Sequence, residues 1–92
     1  MIEVILGPEY DFELFSRLTT EIEALGGSIG GQEWTLGGSQ ELTVFHITLP
    51  EGELEAVAET YVGLSLRGEL SLVQQLGRRM LPNWSLDLLV AR

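Results

Sequence analysis

Apolar residues recur along the chain with two periods, one near 3.6 and one of 2, and the period changes at glycine and proline clusters. Leu14, Phe15, Leu18, Ile22 and Leu25 fall three or four apart, which predicts an amphipathic helix over residues 11–25. Asp11 stands at its N-cap, Glu13 adds negative charge at the positive end of the helix dipole, and Gly26-Gly27 supply a left-handed stop. Glu13–Arg17 and Arg17–Glu21 sit four apart and are expected to pair along the exposed side. Leu70, Val73, Leu76 and Met80 repeat the helical spacing over residues 69–80, with Arg78 and Arg79 in the last turn and Pro82-Asn83 beyond it.

Elsewhere the period is 2. Residues 2–6 are a short apolar run closed by Gly7-Pro8. Residues 28–36 and 40–49 flank Gly37, Gly38 and Ser39, a hairpin signal because tight hairpin turns demand positive φ. From Glu53 to Arg67 the alternation is unbroken. Leu54, Ala56, Ala58, Thr60, Val62, Leu64 and Leu66 share one face, while Glu53, Glu55, Val57, Glu59, Tyr61, Gly63, Ser65 and Arg67 share the other. One long strand is the preferred reading; the alternative is a helix over 51–60 followed by a strand over 61–67. Residues 84–90, beginning at Trp84, read as a last strand.

The resulting order is β-α-β-β-β-α-β, an α+β two-layer sandwich. Its sheet is mainly antiparallel, with a central three-stranded meander, both helices on one face and the other face open. The alternative over residues 51–67 gives a ferredoxin-like βαββαβ order. Strand, glycine, glutamate and helix follow one another at residues 2–25 and again at 61–80, a faint internal echo. No linker or low-complexity segment divides residues 1–92, so one domain is expected.

Charge narrows the functional field. Fourteen carboxylates stand against five arginines and no lysine, a net charge of -9. Nucleic-acid binders and membrane-surface proteins gather cations on one face, and here only Arg78-Arg79 are adjacent, so neither partner is expected. The chain has no cysteine, which removes disulfides and thiolate metal sites and is compatible with the cytoplasm, the expected location. No uncharged run approaches the roughly 18–20 residues of a membrane span, and Met1-Ile2-Glu3 has no basic start for a signal peptide.

His46 is the only histidine, so an acid–base pair containing imidazole has one possible home. If Phe45 and Ile47 face the helices, Val44 and His46 face the open side, as do Val57, Glu59, Tyr61 and Arg67 of the next strand. His46, Glu59, Tyr61 and Arg67 are therefore the polar candidates, for acid–base work or for holding a polar ligand, and Val44 and Val57 the apolar ones. The competing reading of His46 is an isolated strand histidine, hydrogen-bonded or solvated. Glu53, Glu55 and Glu59 offer oxygens, but no spacing matches a metal motif, and no metal or other cofactor is expected. The glycine-rich stretch 26–31 follows a helix and enters a strand, the reverse of a phosphate loop. Trp34, by its parity with Leu36, is expected in the core, and Trp84 at the rim of the last strand.

Three functions follow in order of preference. The first is a small acidic, non-enzymatic interaction domain, a homodimer through the open sheet face. The second is an immunity- or inhibitor-type protein that captures a basic partner by charge. The third is a small enzyme or ligand-binding protein with a site around His46.

Overall fold

The computed structural model describes residues 1–9, 11–37 and 40–91. Along the chain run strand β1 (Ile2–Gly7), helix α1 (Phe12–Ala24), and strands β2 (Ser28–Gly37), β3 (Gln40–Leu49), β4 (Gly52–Glu59) and β5 (Gly63–Gly68). Helix α2 (Leu70–Met80), a 3-10 turn (Leu86–Leu88) and strand β6 (Val90–Ala91) complete it. The strands form one sheet in the order β2-β3-β4-β5-β1-β6, with every neighbouring pair antiparallel. The chain is thus the expected α+β two-layer sandwich, with a meander of four strands where three were expected.

The additional strand comes from residues 53–67, which are a hairpin and not one long strand. Fifteen residues of extended chain would span about 50 Å, and the longest dimension of the molecule is 35 Å. The alternation hides the turn because Ala58 pairs with Leu64 and Ala56 with Leu66, even number with even number. Parity is therefore the same for a straight strand and for this hairpin. The turn is held by Val62 N–H donating to the Glu59 carbonyl (3.0 Å), and Thr60 N–H donates to Glu41 of β3 (3.0 Å). Strand β4 also removes the ferredoxin-like alternative, since residues 51–60 form no helix.

Helix α1 starts where Asp11 Oδ1 accepts from Leu14 N–H (3.0 Å) and stops at Gly26, whose φ is +83°. The pairs expected within α1 do not form: Arg17 Nη2 donates to the Arg79 carbonyl (3.1 Å), and Glu21 binds Arg79 Nε (2.6 Å). Both side chains join α1 to α2 instead. Leu18 and Ile22 of α1, and Leu72, Val73, Leu76 and Met80 of α2, share one buried cluster with Val4, Ile47, Leu54, Ala56, Leu64 and Leu66 of the sheet. Both helices therefore cover the same sheet face, and each fully buried aliphatic side chain contributes about 1.5–3 kcal/mol. Leu70, expected on the buried stripe, is exposed; Leu72 takes that role.

The last strand is shorter than expected. Ser85 Oγ accepts from Asp87 N–H (3.2 Å) and winds residues 86–88 into the 3-10 turn, leaving only Val90–Ala91 to pair with β1. Trp84 lies against α2 at Gly77, where a Cβ would come 2.5 Å from the indole Cζ3. Trp34 is 58% exposed and not in the core. A bulge between Gly30 and Glu33 adds one residue to β2, which puts Trp34 opposite Thr43, on the helix side of the sheet beyond the buried cluster. The hairpin tip, Gly38 and Ser39, lies outside the described residues.

Candidate functional site

The sheet face away from the helices carries the polar candidates in register. His46 of β3 pairs with Glu55 of β4, Glu55 with Arg67 of β5, and Arg67 with Glu3 of β1. Paired residues project to the same side, so these four form a cross-strand row that alternates in charge character. At its centre-right, Arg67 donates from Nε (3.0 Å) and Nη2 (2.8 Å) to one carboxylate oxygen of Glu3. Glu3 is buried, at 3% exposure.

At the left end, His46 Nε2 lies 3.0 Å from Glu33 Oε1. The bulge in β2 makes this contact possible. Gly31 takes a φ of +63°, and a Cβ there would come 2.9 Å from His46 Cδ2. Without a side chain at Gly31 the imidazole lies against the β2 backbone, and the extra residue aims Glu33 at it. Both partners are solvent-exposed, so the contact orients the ring more than it stabilises the fold.

Between the two ends the face dips into a depression of about 360 Å³, lined by Met1, His46, Glu53, Leu54, Glu55, Arg67 and Gly68. Among the described residues, the carboxylates of Glu53 and Glu55 have no hydrogen-bond or ion-pair partner. The guanidinium in the lining is already engaged by Glu3. Chemically, the depression can accept hydrogen bonds and positive charge. Its lining has no hydroxyl or thiol side chain to serve as a nucleophile. No group of three or more histidine, aspartate or glutamate side chains suited to a metal ion occurs among the described residues.

Of the residues picked out from sequence, His46 and Arg67 line the depression together. Val44 and Val57 pair in the next row, where Val57 also meets Ser65. Val57 is only 1% exposed, so the protomer already covers it. Glu59 pairs with Leu42 and Gly63, two rows further from His46, about 13 Å along the strand. Tyr61 is not on the sheet: it occupies the β4–β5 turn with φ 69° and is 80% exposed. Sequence reasoning missed Glu3 and Glu33. Glu3 is signalled by its isolation, a lone charge in the run Ile2–Leu6; Glu33 depends on a bulge that alternation does not reveal.

No protein-family model, curated protein or solved structure matches this chain. Among the described residues, no helix is long and apolar enough to cross a membrane.

Proposed function

We propose that the protein is a non-enzymatic interaction domain that holds a basic partner on its open sheet face. One observation carries this reading: Glu53 and Glu55 border the depression beside His46 without partners among the described residues, while the guanidinium there is neutralised by buried Glu3. A lysine or arginine side chain entering the depression would find two uncommitted carboxylates. The net charge of -9 would steer a basic protein towards it. The cysteine-free composition goes with a cytoplasmic setting.

Calorimetric titration with hexa-arginine peptide tests it. Binding is expected to weaken about twofold to thirtyfold in E53Q/E55Q, since exposed charge pairs contribute about 0.2–1 kcal/mol each. Equal affinity in wild type and variant would remove the reading.

A homodimer through the same face is the second reading. It is favoured by Ile5 and Val90, exposed at 48% and 52%, which lie on the open face where β1 meets β6. Val57 adds nothing to such an interface, because it is already covered. A salt-insensitive dimer in light scattering would favour this reading, and the mass of a single chain would end it.

A further inference from the structure

The chain has three phenylalanines, and they gather at one flank of α1. Phe12 and Phe15 are three apart on the helix and therefore neighbours on its surface. The Phe15 ring packs on Phe45 of β3, with centroids 4.9 Å apart and an interplanar angle of 55°. Trp34 lies opposite Thr43, two residues along β3 from Phe45, which makes it the diagonal neighbour of Phe45 on the same sheet side. The inner pair, Phe15 and Phe45, is half-buried, while the outer members are open: Phe12 is 86% exposed and Trp34 58%. Single exposed apolar residues are ordinary; a packed aromatic pair with an exposed aromatic beside it on the helix and another on the hairpin has the composition of an interface centre.

The charges around this run choose its occupant. Asp11 and Glu13 flank Phe12 in sequence, and Glu23 lies three turns from Phe12 on the same flank of α1. All three are exposed. The nearest helix cation, Arg17, lies on the opposite flank, where it donates to the Arg79 carbonyl of α2. A second copy of the chain would bring carboxylates against carboxylates. We infer that this aromatic flank docks an amphipathic segment of another protein, apolar along one side and carrying lysine or arginine beside it. Apolar side chains cover Phe15 and Phe45; the cations meet the carboxylates and the ring faces of Phe12 and Trp34. The inference shares with the proposed function only the sign of the partner's charge, and it uses residues on the other side of the sheet.

The test is an NMR titration of the full 15N-labelled chain with a synthetic Lys-Leu-Leu-Lys repeat peptide of about 15 residues, long enough to form a helix. Expected are shifts at Phe12, Phe15, Phe45 and the Trp34 indole N–H, and a loss of about tenfold or more in affinity in F12A/W34A. F12A alone serves if the double variant alters the circular dichroism spectrum. D11N/E13Q, which keeps an N-cap, is expected to weaken binding and flatten its salt dependence. E53Q/E55Q is expected to leave these shifts in place, which separates this surface from the open face. Three results would overturn the inference: shifts indifferent to F12A, equal binding of a Glu-Leu-Leu-Glu peptide, or concentration-dependent shifts at the same residues without peptide, which would mean that a second copy is the occupant.

Discussion

Arg67 and Glu3 are 64 residues apart in sequence and joined by two hydrogen bonds to a single carboxylate oxygen, at 3.0 and 2.8 Å. The pair binds β5 to β1 on the face the helices leave uncovered. Removing the cation leaves a carboxylate that is 3% exposed without its guanidinium. R67M is therefore expected to cost about 3 kcal/mol in urea denaturation, and E3Q/R67M clearly less than R67M alone. Additive costs for the two substitutions would mean that they are not coupled.

Gly31 sets the position of His46. Alanine there would have to hold a φ of +63° and place its Cβ 2.9 Å from the imidazole. G31A is expected to destabilise by about 1–2 kcal/mol and to move the His46 ring resonances in a proton NMR spectrum. Unchanged imidazole shifts would disprove the packing of His46 against the bulge.

Tyr61 holds a left-handed conformation, φ 69°, with its side chain 80% exposed. It pays a conformational penalty without burying its ring, so Y61G is expected to raise stability by about 0.5–1 kcal/mol. Y61V is expected to lower it. A thermal melt of the two variants decides, and a loss on substitution by glycine would contradict the account of this turn.

Gly77 is a helix-interior glycine where alanine would ordinarily help by about 1 kcal/mol. Here the Cβ would meet Trp84 Cζ3 at 2.5 Å and Cη2 at 3.1 Å. G77A is expected to destabilise by about 1–3 kcal/mol and to shift the emission of Trp84. A gain in stability would show that the indole is not seated on the helix backbone.

These positions also show what the sequence makes legible. Helix α1 was readable because both ends carry chemical signals, Asp11 at one and Gly26 at the other. The β4–β5 hairpin was not, because its turn, Thr60-Tyr61-Val62, lacks the usual turn residues and its register preserves side-chain parity. That one misreading spread to the site. On a straight strand Glu59, Tyr61 and Arg67 form a series on one face; folded back, the strand carries Arg67 to Glu55 and sends Tyr61 into the turn. His46 and Arg67 share the open face either way, since parity alone decides it. Trp34 does face the helix side, as parity predicts, but it lies beyond the buried cluster, and alternation reports the side of a sheet and not the reach of the layer above it.

The central claim is that the open face beside His46 takes positive charge. The most direct measurement is a 15N NMR titration of the full chain with hexa-arginine peptide. Shifts concentrated at His46, Glu53, Glu55, Arg67 and Gly68, and lost in E53Q/E55Q, are expected. Shifts spread evenly over all exposed carboxylates, or unchanged in that variant, would contradict the claim.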